Sequence, residues 1–314
     1  MSIIERVAAL LGPIARPNLD SSTPGKNSSI PELDLIGRVN GESNERSRAS
    51  EARNFVGQPA AKEPKAVRPA SRTIPTIKVD LDRLRRQSII TPDSERTPIA
   101  EDFRRIKRQI LENASNPSAG APTNLVMVTS AIAGEGKTFC AVNLAISIAL
   151  EMDYSVLLVD ADVAKPSIPE VLGLQVKKGL MDLLRDRRLE LAEVLCKIHI
   201  GKLTLLPGGT VHKQSTELLA SGGMRELLRE MADRYRDRII IFDSPPLLAA
   251  SEAAVLASQM GQIIMVVEAG KTTQATLKQA LGHLNPRKIA GLVLNKGQSA
   301  GLGYRYGGYG HGTR

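Results

Sequence analysis

The run Leu125-Val126-Met127-Val128-Thr129-Ser130-Ala131-Ile132-Ala133-Gly134-Glu135-Gly136-Lys137-Thr138 decides the fold. Its first five residues are apolar or β-branched and predict a buried strand. The amphipathic stretch Thr138–Glu151 follows at once and predicts a helix. Between them lies a glycine-bearing loop that ends in Gly-Lys-Thr. A strand, such a loop and a helix form the setting in which a P-loop works. Gly134 and Gly136 let backbone N–H groups close around phosphate oxygens, Lys137 reaches the β- and γ-phosphates, and the Thr138 hydroxyl ligates Mg²⁺. Ala131 stands where the usual pattern has its first glycine. Lys137 is expected to be solvated until nucleotide binds.

Outward from this unit, short apolar runs alternate with longer amphipathic ones. Strands are predicted at Leu125–Thr129, Val156–Asp160, Leu203–Leu206, Arg238–Asp243, Ile263–Val267 and Leu292–Leu294. Helices are predicted at Thr138–Glu151, Leu180–Arg185, Gly223–Tyr235, Ser251–Met260 and Thr273–Leu284. That alternation implies βαβ units, hence an α/β fold with a doubly wound, mostly parallel sheet. Ligands of such sheets lie beyond the carboxyl ends of the strands.

Two predicted strands end in carboxylates. Leu157-Leu158-Val159-Asp160-Ala161-Asp162 sets two of them at i and i+2, suited to a metal's water shell or to accepting a hydroxyl proton. Ile239-Ile240-Ile241-Phe242-Asp243, followed by Ser244-Pro245-Pro246, fits a Walker B element whose carboxylate holds Mg²⁺. Asp162 and Asp243 are thus expected to complete the metal shell with Thr138. Asp160 is expected to orient or deprotonate an incoming hydroxyl, although the sequence does not separate its role from that of Asp162. Asn295, at the end of the last strand, is placed to hydrogen-bond adenine.

The rest of the chain reads differently. Residues 1–11 have the apolar spacing of a short amphipathic helix. Residues 12–75 are rich in Pro, Ser, Asn, Gly and charge, and predict a disordered linker. Val79–Ser88 and Pro98–Asn113 look helical in part; the second carries Ile99, Phe103, Ile106, Ile110 and Leu111 at helical spacing. The P-loop domain is expected to cover 76–296. Residues 297–314 form a Gly-rich, flexible tail that holds Tyr304, Tyr306 and Tyr309, three of the chain's five tyrosines.

Composition bounds the function. The net charge of +9 is spread, with 20 basic and 15 acidic side chains in residues 1–120 and 22 and 18 in the remainder. Aromatic residues make up only 3% and there is no Trp, so a nucleic-acid surface is not expected. Two cysteines, Cys140 and Cys196, support neither a disulfide framework nor a metal cluster and suit a reducing cytoplasm. No apolar run approaches the roughly 20 residues of a spanning helix.

Taken together, the Gly134–Thr138 loop, Asp160-x-Asp162, Asp243-Ser244-Pro245-Pro246 and the terminal tyrosines resemble the bacterial tyrosine kinases of exopolysaccharide and capsule synthesis, most of all the soluble autokinases of exosortase-linked systems. The resemblance runs from about Leu81 to the C-terminus. It implies ATP and Mg²⁺ as cofactors, with ATP held by Ala133, Gly134, Glu135, Gly136, Lys137, Thr138, Phe139 and Asn295. It implies catalysis by Lys137, Asp160 and Asp162, and Tyr304, Tyr306 and Tyr309 as phosphate acceptors. It also implies a ring of subunits joined through a Glu-x-x-Arg-x-x-Arg helix, whose places are taken here by Glu101, Arg104 and Lys107. Lysine keeps the last charge but loses the bidentate fork. A further departure is Ala164, where the family's Asp-x-Asp element usually runs on to Arg; Lys165 follows it. The implied partners are a membrane polysaccharide co-polymerase that activates the kinase and a tyrosine phosphatase. The implied location is cytoplasmic, at the inner membrane through that co-polymerase.

Two other readings share these motifs. ATPases that partition chromosomes or place the division site carry an additional lysine early in the loop, where this chain has Ile132. A nucleotide-gated assembly scaffold would use the same pocket and phosphorylate nothing.

Overall fold

The computed structural model describes residues 74–94, 97–115, 122–234 and 238–297. In chain order the elements are β1 (Thr76–Ile77), α1 (Leu81–Arg86), α2 (Pro98–Ser115), β2 (Leu125–Ser130), α3 (Lys137–Ala149), β3 (Ser155–Asp160), α4 (Ile168–Leu172), α5 (Leu180–Arg185), α6 (Leu191–Val194), β4 (Cys196–Ile198), β5 (Leu203–Leu206), α7 (Ser215–Leu219), α8 (Gly222–Arg234), β6 (Arg238–Asp243), α9 (Ser251–Gln259), β7 (Gln262–Glu268), α10 (Gln274–Leu281) and β8 (Ile289–Asn295). A short 3₁₀ turn, Pro286–Lys288, precedes β8.

The sheet has eight strands in the order β1-β4-β5-β3-β6-β2-β7-β8. Its pairs are parallel except β4 with β5, which run antiparallel. Both faces are covered, and this explains why the central strands read as unbroken apolar runs. Along β2, Val126 and Val128 enter one core cluster with α2 and α3, while Leu125 and Met127 enter a second with α8 and α9. The same alternation sends Val156 and Leu158 one way and Leu157 and Val159 the other.

α3 is buried along nearly its whole length, from Cys140 to Ala149. Asn143, fully buried there, is satisfied: its carbonyl accepts from Ile90 N at 2.8 Å and its amide donates to Phe139 O at 3.0 Å. α2 lies on that side, inserting Ala100, Phe103 and Ile110. Its C-terminal end is tied to the sheet through Gln262, which donates to Ile110 O at 3.1 Å and accepts from Asn113 Nδ2 at 2.9 Å.

All six predicted strands form: two keep the predicted bounds, three are longer by one or two residues, and β8 runs seven residues where three were expected. β1 and β4 are additions. At two and three residues they are too short to show a period. The linker expected through Pro75 is corrected at its end, because Ile74 packs against the second core and Pro75 O accepts from Lys197 N at 2.9 Å. α4, α6 and α7, of five, four and five residues, also escaped the periodic pattern. The predicted helix to Leu284 stops at Leu281. The expected helix over 1–11, the linker from 12 to 73 and the tyrosines of the tail lie outside the described residues. No described helix is long and apolar enough to cross a membrane.

Candidate functional site

Parallel register builds the site. Asp160 pairs with Asp243 across β3 and β6, and Asp243 pairs with Val128 of β2, two residues before the strand ends at Ser130. Three neighbouring strands therefore deliver two carboxylates and the root of the glycine loop to one edge. At that edge the loop turns through Gly134 at φ 89° and Gly136 at φ 92°, left-handed conformations that side chains other than glycine rarely adopt. Lys137 and Thr138 then open α3, whose N-terminus leaves unpaired N–H groups facing the same edge.

The charges at this edge are buried and incompletely matched. Lys137 Nζ meets Asp162 Oδ2 at 2.5 Å, with only 12% and 9% of the two side chains exposed. The lysine is thus not solvated as expected; it is folded back onto the second aspartate of the pair. Burial pulls its pKa down, but Asp243, Asp162 and Asp160 outweigh that and raise it. Asp160 Oδ2 accepts from Ser167 N at 2.9 Å and Ile168 N at 3.0 Å, at the start of α4. Its Oδ1 and both oxygens of Asp243 are buried without a hydrogen-bond partner among the described residues. Burial, reinforced by Asp243, pushes Asp160 up to about 7 despite those two N–H donors. Burial likewise pushes Asp243 up to about 6, against the pull of Lys137 and the nearby Thr138 hydroxyl. One cation among three carboxylates leaves negative charge to be answered.

That imbalance fits Mg²⁺. Among the described residues no three His, Cys, Asp or Glu side chains converge as a cage. Mg²⁺ does not need one, since it takes one or two carboxylates, waters and phosphate oxygens. Thr138, whose hydroxyl lies 3.3 Å from that of Ser167, together with Asp162 and Asp243, forms a donor set of that kind.

Other predicted residues are brought to the site in ways the sequence did not reveal. The Glu135 side chain is fully buried. It accepts from Ile132 N at 2.8 Å, from Glu268 N at 3.3 Å and from the Thr272 hydroxyl, bracing the loop against the end of β7. The Phe139 ring packs edge-on against Phe103 of α2, centroids 6.4 Å apart, which leaves only its backbone at the phosphate edge. Asn295 donates its side-chain amide to Glu135 O at 2.9 Å, so the group expected at adenine bonds the loop itself. Lys296, absent from the sequence reading, donates to Gly134 O at 2.7 Å. Ser167 and Ile168 were also missed, because backbone donors carry no sequence signal.

The residues expected to join subunits lie apart, on α2. Glu101 and Arg104 form a half-exposed ion pair. The Lys107 ammonium donates to Ser147 O at 3.0 Å and pairs with Glu151, so it engages the chain's own α3 and the turn after it.

Comparison with known proteins gives a consistent set. The family model described as ParA, NUBPL iron-transfer P-loop NTPase, matches residues 122–267. Tyrosine-protein kinase YwqD of Bacillus subtilis (strain 168) is 32% identical over 206 residues, 65% of this chain and 84% of YwqD. Tyrosine-protein kinase wzc of Salmonella typhi is 31% identical over 191 residues, 60% of this chain but 26% of that much longer protein. Among solved structures the VpsO kinase domain aligns with a TM-score of 0.53 at 28% identity, covering 64% of this chain and all of the domain.

Proposed function

The chain belongs to the family of bacterial tyrosine-protein kinases, and from that premise we propose that it transfers the γ-phosphoryl group of ATP to the tyrosines of its own tail, Tyr304, Tyr306 and Tyr309, in the control of exopolysaccharide synthesis and export. The observation that carries this reading is the trio of carboxylates at the P-loop, with one buried oxygen of Asp160 left unpartnered. A carboxylate oxygen with a free lone pair at the phosphate edge can serve as general base.

The roles follow from the contacts. Phosphate oxygens compete for Lys137, which leaves Asp162 and neutralises charge on the β- and γ-phosphates. Thr138, Asp162 and Asp243 would hold Mg²⁺, which would supply further neutralisation of the phosphates. Asp160 Oδ1 accepts the phenolic proton as the tyrosine oxygen bonds to the γ-phosphorus. The bond from that phosphorus to the bridging oxygen breaks, and ADP leaves with the electron pair. Because little covalent chemistry falls to the protein, holding these groups in place is most of its work.

The proposed partners are further copies of the chain in a ring, a membrane polysaccharide co-polymerase that activates the kinase and a tyrosine phosphatase that resets it, at the inner membrane. The test is an anti-phosphotyrosine blot and mass spectrometry of the full chain incubated with ATP and Mg²⁺. Replacing Tyr304, Tyr306 and Tyr309 together with Phe is expected to remove most of the signal. Phosphate confined to Tyr154 or Tyr235 would overturn the acceptor assignment, and no phosphotyrosine at all would favour an ATPase or scaffold.

A further inference from the structure

The P-loop is gripped from outside at two successive peptide groups. Lys296 Nζ donates to Gly134 O at 2.7 Å, and Asn295 Nδ2 donates to Glu135 O at 2.9 Å. Both donors sit at the end of β8, where Lys296 takes the uncommon left-handed φ of 57°. Glu268, at the end of β7, steadies Lys296 through an ion pair at 3.3 Å. A Cβ on Gly136 would fall 2.0 Å from Asn295 Nδ2, so the amide lies against the loop with no room to spare.

A trans peptide holds its C=O and the following N–H on opposite sides of one rigid plane. Pinning the carbonyl of Gly134 therefore aims the N–H of Glu135 the other way, and pinning the carbonyl of Glu135 does the same for the N–H of Gly136. Neither N–H bonds to an acceptor among the described residues. Two donors are thus oriented in advance and left unused, which is what an anion cradle requires. Without the outer grip, glycines at φ 89° and 92° would let both peptides rotate at little cost.

We propose that Asn295 and Lys296 are positioning residues that set the phosphate-binding shape of the P-loop by holding its carbonyls outward, with Glu268 orienting Lys296. The inference rests on the reading of this loop as the nucleotide site. It also gives Asn295 a purpose different from contact with adenine.

The test uses the full chain with Mg²⁺ and two probes: a fluorescent N-methylanthraniloyl ADP, and inorganic pyrophosphate competing with it. Lys296→Met and Asn295→Ala are each expected to weaken both probes about tenfold, the range of a lost charge-assisted or well-placed hydrogen bond. Lys296→Arg, which keeps the charge and a donor, is expected to restore most of the affinity. Because Glu268 acts through Lys296, the double variant Glu268→Gln with Lys296→Met should bind no worse than Lys296→Met alone. Thermal unfolding without nucleotide should shift by no more than a degree or two for Lys296→Met. Pyrophosphate affinity unchanged in both variants, or failure of Lys296→Arg to rescue, would overturn the proposal. If Asn295→Ala weakened the nucleotide and left pyrophosphate untouched, Asn295 would be an adenine contact and not a brace. An unaltered chain that bound neither probe would instead remove the nucleotide reading on which the proposal stands.

Discussion

At the carboxyl ends of β3 and β6, Asp160 and Asp243 are wholly buried and three of their four oxygens lack partners, whereas on α2 Glu101 and Arg104 meet in half-exposed positions and Lys107 is satisfied twice over. Both regions are charged, and both were singled out from sequence motifs. They differ in how the charge is answered. Burying a carboxylate without partners costs several kcal/mol unless the group takes up a proton, and such an arrangement persists only when something outside the fold makes it worthwhile. A surface pair such as Glu101–Arg104 contributes only about 0–1 kcal/mol and could be placed almost anywhere. The unanswered charge marks the chemistry; the answered charge marks packing.

The comparison breaks most visibly at Lys137, the single cation among the three carboxylates. Lys137→Met should lower phosphotransfer by about a thousandfold or more, since charge developing on the phosphates would go uncompensated. The same change should destabilise the nucleotide-free protein at pH 8 by about 2–4 kcal/mol, because it leaves Asp162 buried without its partner. Calorimetry alongside a γ-phosphate transfer assay checks both. A full loss of activity with no change in unfolding would mean that Lys137 is already solvated and that the contact with Asp162 carries no energy.

A pH series sharpens the contrast. Asp160 holds its proton up to about 7 in the folded chain, whereas an ordinary aspartate loses it near 4. The folded state then binds a proton that the unfolded state lacks, so stability is present below about pH 4 and is lost as pH rises to about 7. Asp243, at about 6, acts in the same direction. Asp160→Asn should therefore alter the Mg²⁺-free, nucleotide-free protein by no more than about 1 kcal/mol at pH 4.5 and stabilise it by about 3–4 kcal/mol at pH 8. Urea unfolding at the two pH values measures this, and equal effects at both would show that the carboxyl titrates normally.

On α2 the effects should be smaller and unequal. Lys107→Ala is expected to cost about 1–2 kcal/mol, because it removes a bond to Ser147 O and an ion pair from a mostly buried side chain. Glu101→Ala with Arg104→Ala should cost less than about 1 kcal/mol. If that face joins subunits, light scattering will show a lower mass for the Glu101/Arg104 variant and not for Lys107→Ala at matched stability. Equal masses throughout would leave α2 as a packing helix only.

Much of this molecule was legible in its sequence for local reasons. An apolar run long enough to cross a sheet has a recognisable composition, a helix with one buried face has a period, and glycines that must turn through positive φ cannot be disguised. Hence the six long strands, the doubly wound class, the loop from Gly134 to Thr138 and the aspartates at Asp160, Asp162 and Asp243 could all be placed from residues alone. β1, β4 and the three shortest helices could not, because two to five residues are too few to show any period and form only where a neighbour supplies hydrogen bonds. The division of labour between the paired aspartates was likewise closed to the sequence. Their spacing is two residues, yet the fold hands one to the backbone of Ser167 and Ile168 and the other to Lys137. Tertiary structure alone decided that Glu135 braces the loop from within, that Lys107 faces its own chain, and that Asn295 and Lys296 reach back some 160 residues to grip the P-loop carbonyls. Apart from the bond between Ile132 and Glu135, those contacts join groups distant in the chain, and their energies depend on burial and direction, which arise only when the strands have come into register.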